Sequence, residues 1–400
     1  MTQVTRKTTV VKPKKPHKDF PLFPHATKRW AKKIRGKTHY FGKWNDPDGA
    51  LQKYLTEKDD LHSGRVPQKA KPGELTVADL CNRFLAAKRA KLDNGELSEK
   101  SYSDYFRTCR RLVGVFGKSR AVDSLAPDDF ARLRAEMAKR LGVVALKNEI
   151  GRCRMPLKFA YDEGLIDKPI RYGQSFSKPS KKILRQHRQA QQAEYGERMF
   201  SADEVRRILE AADPALKAMV LLAINCGFGQ SDVANLPQSA VDLESGWIDF
   251  PRPKTAVERH CPLWSETVDA LRLAIDRRPT AKSDSDDVGI CFLTKYGNRW
   301  VRMSDHEQPE QRTSLDAVSG QFSKLLKSLG INGKRGFYAL RHTFETVGGE
   351  SKDQVAVNSI MGHVDVSMAS DYREGVSDGR LKLVVDAIHS WLFGAEDGAA

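Results

Sequence analysis

The segment YALRHTF at 338–344, with MGH at 361–363 and SDYRE at 370–374, decides how this chain is read. Helices are expected at about 338–348 and 352–362. Arg341 is followed about 20 residues later by the pair Gly362-His363, and Tyr372 comes nine residues after His363. Each residue type has a characteristic chemistry. A planar guanidinium grips two oxygens of a phosphate at once, which a lysine cannot do. A phenol is a nucleophile that can form a covalent intermediate, dividing one difficult exchange into two easier steps.

Working outward, PRPKT at 251–255 lies between Trp247–Phe250 and Arg259–Trp264, which read as strands. Lys254 is therefore expected at a hairpin tip, stiffened by two prolines. Ser201 and Glu204 make a capping box, and AMVLLAINCGFG reads as a buried helix. Further helices are expected at about 265–277, 314–329 and 379–393. The last has Leu383, Val384, Ile388, Trp391 and Leu392 on one stripe, for docking on its own domain or on a neighbouring copy. Residues 199–394 thus read as a mixed α/β domain that is mainly helical, followed by a tail at 395–400.

Upstream the text changes twice. Between 74 and 172 four amphipathic helices are expected. The first is opened by Thr76 and Asp79, the second by Ser98 and the third by Pro127, while the fourth spans about 146–163. Residues 173–198 are basic and poor in apolar anchors, and read as a linker. Residues 1–26 read as a flexible basic arm. In RWAKKIRGKTHYFGKW at 29–44, two strands turn at Arg35-Gly36-Lys37, and Asp46-Pro47 then opens a short helix, which makes 27–58 a small ββα module.

The net charge is +16, and residues 1–43 hold 13 Lys or Arg against one Asp. Such a balance points to a polyanionic partner, since each neutralised phosphate releases counterions. Lys32, Lys33, Arg35 and Lys37, interleaved with aromatic residues, are the candidates for contacting it. No run of about 18 apolar residues occurs, so no membrane partner is expected. The six cysteines have no paired or metal-ligand spacing, which fits a reducing, cytoplasmic setting.

LRHTF, the Gly-His pair and the spaced tyrosine together resemble the C-terminal signature of the tyrosine recombinase, or phage integrase, family. The region 75–168, including FAYDEGLID at 159–167, resembles that family's helical core-binding domain, and 27–58 its arm-binding domain. The fold implied is mainly α with small β-sheets (α+β). The resemblance implies transesterification of a phosphodiester in double-stranded DNA, with no cofactor or metal, by a cytoplasmic, nucleoid-associated protein. Tyr372 would be the nucleophile, Arg341 and His363 the phosphate ligands, and Lys254 the proton donor to the leaving 5′-oxygen. Self-association on DNA, from dimer to tetramer, and a DNA-bending helper protein belong to the same expectation.

Two positions depart from the family's pattern. Gly229, in CGFGQSDV at 226–233, stands where the family has an arginine, although Asp232 matches the acidic position. Losing one such donor costs roughly 10²–10³ in rate. The departure suggests either a compensating cation, for which Arg252 is the candidate, or a catalytically silent relative that regulates or assists excision by binding DNA. A type IB topoisomerase would share the chemistry, but the two upstream modules argue against it. Tyr338 occupies a position where the family usually has His; its hydroxyl can still donate to a phosphate oxygen.

Overall fold

The computed structural model describes residues 12–62, 64, 73–282, 287–364 and 374–394. Tyr372 lies outside them. The chain divides into two compact units, Met1–Leu184 and Arg185–Ala400.

The first unit begins with an antiparallel three-stranded sheet, ordered β1 (Phe23–His25), β2 (Arg29–Ile34), β3 (Lys37–Lys43). The β2–β3 turn is made by Arg35 and Gly36 with φ of 49° and 81°, and Ile34 pairs with Lys37. This is the two-residue hairpin geometry that matches strand twist. Helix α1 (Pro47–His62) packs on one face, over a core of Phe20, Leu22, Trp30, Ile34, Phe41, Ala50 and Tyr54. Two expectations change here. The arm over 1–26 is not flexible throughout, because Phe20 and Leu22 are buried and Phe23–His25 forms a strand. The module also extends four residues beyond 58, to the end of α1.

Four helices follow: α2 (Val77–Asp93), α3 (Glu99–Phe116), α4 (Pro127–Ala138) and α5 (Val143–Asp162). The Thr76–Asp79 capping box is formed, with Asp79 N donating to Thr76 Oγ1 at 3.1 Å and Thr76 N to Asp79 Oδ2 at 3.4 Å. Their apolar stripes close over Leu80, Phe84, Leu112, Phe130, Leu133, Ile150 and Leu157. The linker is corrected at both ends. Phe176 is fully buried in this core, 5.3 Å from the Phe130 ring, so the helical domain runs past 172. Residues Lys181–Tyr195 form helix α6, with no buried residue. Its charges at helical spacing support a solvated helix where sparse apolar anchors suggested a strand-less linker.

The second unit is built on α8 (Pro214–Asn225), which is buried on nearly every side. Around it stand α7 (Ala202–Ala211), the short α9 (Gln230–Ala234), α10 (Ser265–Asp276), α11 (Ala317–Ser328), α12 (Tyr338–Gly348), α13 (Gln354–Met361) and α14 (Asp378–Phe393). A sheet of β4 (Val241–Asp242), β5 (Trp247–Asp249) and β6 (His260–Pro262) is antiparallel, and β7 (Val301–Met303) pairs with β8 (Ser314–Asp316). Helix α14 buries Leu381, Val384, Val385, Ile388 and Leu392 against its own unit. Leu383, assigned to that stripe from the sequence, is 67% exposed.

Candidate active site

Helix α12 is anchored by Leu340, Thr343, Phe344 and Val347, all buried, and Arg341 is carried inward with them to 2% exposure. A guanidinium so placed must replace lost water with protein acceptors. It donates through Nη2 to Met361 O at 2.7 Å and through Nη1 to Gly227 O. Arg341 therefore ties the loop after α8 to the end of α13. Burial, then the neighbouring Arg252, lowers its pKa, but an arginine stays charged.

At the end of α13, Gly362 takes the left-handed conformation (φ 62°) that terminates a helix. Only glycine fits well here, since a Cβ would stand 2.8 Å from Arg259 Cδ and 3.0 Å from Arg252 Cβ. The turn presents His363, whose backbone N–H donates to Asn358 O at 3.0 Å and whose Nδ1 lies 3.3 Å from Asn358 Oδ1. Among the described residues Nε2 makes no hydrogen bond. Burial pushes the imidazole pKa below its usual value, and Arg341 and Arg252 add to the effect against Glu345.

The β5–β6 hairpin reaches the same turn. Arg252 Nη1 and Thr255 Oγ1 both donate to Gly362 O, at 3.3 and 3.4 Å. Lys254, between them, is exposed at the tip. Tyr338 opens α12, 42% exposed and edge-on to His342 with ring centroids 5.4 Å apart. The His342 pKa is also lowered, by burial first and then by Arg198 and Arg341. Tyr338 and His342 line a cleft with Arg198, Lys334, Arg335 and Tyr195.

Gly229 caps α9 through its backbone, its N–H donating to Asp232 Oδ2 at 2.7 Å. The other oxygen of Asp232 faces Arg259, a residue the sequence did not single out. Arg259 Nη2 is 3.2 Å from Asp232 Oδ1, and Nε donates to Phe250 O at 2.8 Å. The guanidinium carbon sits 4.2 Å over the Phe228 ring. Among the described residues Nη1 makes no hydrogen bond, and Nη2 meets Asp232 as an ion pair. The available signal was Asp232 itself: a buried carboxylate calls for a cation, and Gly229 has none to give. The structure thus gathers Arg252, Arg341, His363 and Tyr338, with Lys254 on the adjoining tip, and adds Arg259 and His342.

The four basic candidates, Lys32, Lys33, Arg35 and Lys37, are not equivalent. Lys33 and Lys37 are exposed. Lys32 turns inward, donating to Pro21 O at 3.1 Å with its ammonium 5.0 Å from the Tyr54 ring centroid, and Arg35 Nη1 reaches His62 O at 3.4 Å.

Residues 198–376 match the Phage integrase family. Tyrosine recombinase XerA of Thermococcus kodakarensis is 24% identical over 177 residues, 43% of this chain, which spans 56% of that relative's length. Among solved structures, a lambda integrase dimer bound to a COC' core site aligns with a TM-score of 0.53 at 15% identity, covering 92% of this chain and 97% of that one. The Tn1549 transposon integrase in complex with transposon right end DNA aligns at 0.54 and 17% identity, covering 79% and 100%. The fold expected from the sequence, mainly α with small sheets, is borne out. The segment holding Arg341, His363 and the hairpin lies wholly within the residues matched by the Phage integrase family, and over that region the chain is similar to tyrosine recombinases.

Proposed function

We propose that the chain is a site-specific DNA recombinase that cuts and rejoins double-stranded DNA through a 3′-phosphotyrosyl intermediate. The observation that carries this reading is the convergence of Arg341, Arg252 and His363 on the turn at 361–363, with Lys254 on the adjoining hairpin tip. A concentration of cations around a half-buried imidazole suits the extra negative charge of a phosphorane-like transition state.

In the step proposed, Tyr372 Oη bonds to phosphorus and releases its proton to water as the P–O5′ bond breaks. Lys254 then donates a proton to the departing 5′-oxygen. Arg341 and His363 hold non-bridging oxygens, and the Tyr338 hydroxyl donates to another. Attack by a 5′-hydroxyl of a second strand reverses the step. Lys33 and Lys37 are proposed to meet DNA phosphates with the sheet of the first unit. Dimers or tetramers assembled on DNA, as in the lambda integrase structures, are proposed as the working form.

The test is covalent trapping with nicked duplexes from the ends of the chain's own genetic element. A denaturing gel should show a slow-migrating adduct with the natural chain and none with Tyr372→Phe. Duplexes that bind yet form no adduct would favour a silent DNA-binding relative, which the glycine at 229 keeps in view.

A further inference from the structure

Asp232 divides its two oxygens between the amide of Gly229 and the guanidinium of Arg259. The charge missing from the Gly229 side chain is therefore supplied to the same carboxylate from another element, the strand end of the β5–β6 hairpin. Arg259 is 2% exposed, yet among the described residues its Nη1 has no hydrogen-bond partner, while Nη2 is ion-paired to Asp232. Buried polar nitrogens are rarely left unmatched without a functional reason. Arg252, the substitute suggested by sequence, is half-exposed and spends Nη1 on Gly362 O.

The charge balance points the same way. Arg259 and Arg252 both pack on Gly362, and Arg341 donates to Met361 O beside it. Against these three cations Asp232 is the one carboxylate ion-paired to any of them among the described residues. Burial lowers the pKa of both Arg259 and Arg341, and Arg252 lowers both further, so an anion entering here relieves charge repulsion. The hairpin tip rests on the same turn through two bonds to Gly362 O, at 3.3 and 3.4 Å.

We propose that Arg259 is the second phosphate-binding guanidinium of this active site, holding with Arg341 a non-bridging oxygen of the scissile phosphodiester in place of a side chain that Gly229 lacks. The inference rests on the recombinase reading. Arg259 transfers no proton and forms no covalent bond; it neutralises charge that develops on the phosphate oxygens.

The experiment uses the full chain and two nicked duplexes, one natural and one with a methyl group replacing a non-bridging oxygen of the scissile phosphate. On the natural duplex Arg259→Gln should form the Tyr372 adduct roughly 10²–10³-fold more slowly than the unmodified chain. On the methylated duplex, where less charge needs neutralising, that gap should narrow to under about tenfold. Gly229→Arg added to Arg259→Gln should recover part of the lost rate, since a side chain at 229 starts beside Asp232. Should Arg259→Gln fail to fold, Arg259→Met, which also removes the charge but keeps an apolar stem, carries the same comparison. Equal rates for variant and unmodified chain overturn the inference alone. A gap of the same size on both duplexes also overturns it, leaving Arg259 as a support for the hairpin. Absence of any adduct with the unmodified chain overturns the recombinase reading, and this inference with it.

Discussion

Gly362→Ala is expected to be among the most damaging single-methyl additions in the second unit. The residue has φ 62°, and holding a non-glycine residue there costs about 1–2 kcal/mol. The new Cβ would also stand 2.8 and 2.9 Å from Arg259 Cδ and Cγ, and 3.0 Å from Arg252 Cβ. Those stem atoms belong to a buried arginine held at Phe250 O and Asp232, so they cannot swing aside as a free chain end would. Overpacking of this kind costs about 1–3 kcal/mol. The sum is roughly 2–5 kcal/mol, or a fall of roughly 4–20 °C in the thermal midpoint of a unit this size.

Two other glycines separate the contributions. Gly330 has φ 66° with nothing within 4 Å of its Cβ position, so Gly330→Ala should show the backbone cost alone. Gly320 lies inside α11 with open space around it, so Gly320→Ala should stabilise by about 0.5–1 kcal/mol. Thermal denaturation followed by far-ultraviolet circular dichroism reads all three. If Gly362→Ala costs no more than Gly330→Ala, the turn is not packed on Arg259 as described, and the argument from crowding is refuted.

Other expectations follow from the same geometry. Phe176→Ala should destabilise the first unit by about 3–5 kcal/mol in chemical denaturation, and a neutral result would return 173–177 to the linker. Lys33→Ala with Lys37→Ala should weaken DNA binding and lower the salt slope by roughly two phosphate contacts, whereas Lys32→Ala should act mainly on stability, through Pro21 O and Tyr54. The folded chain holds His342 and His363 below their ordinary pKa, so the unfolded chain takes up their protons first as pH falls. Stability should thus be full above the unfolded value near 6.5 and decline as pH drops below it. Replacing both with Gln should flatten that decline in midpoint-against-pH measurements; an unchanged slope would assign the sensitivity to other groups.

Much of this molecule was written in local sequence. The capping boxes at Thr76 and Ser201, the proline opening α4 and the Arg35-Gly36 turn act within a few residues, so their structures could be read directly. The spacing of Arg341, Gly362 and His363 likewise fixed a helix, a left-handed stop and an imidazole placed just after it. What remained hidden depends on packing between distant segments. Phe20 and Phe176 sit in polar, basic stretches and gain their burial only from partners elsewhere in the first unit, Trp30 for one and Phe130 for the other. Lys32 looks from its strand pattern like any exposed lysine, until Pro21 and Tyr54 take it up. Arg259 is the sharpest case. Apart from Phe250 across the hairpin, its partners Asp232, Phe228 and Gly362 lie 27 or more residues away, and no local periodicity marks a buried arginine. The sequence showed only that Gly229 stands where the family it resembles has an arginine; the folding of the hairpin onto α9 and the end of α13 decided which arginine meets Asp232, because charge compensation in a buried site is settled by distance in space.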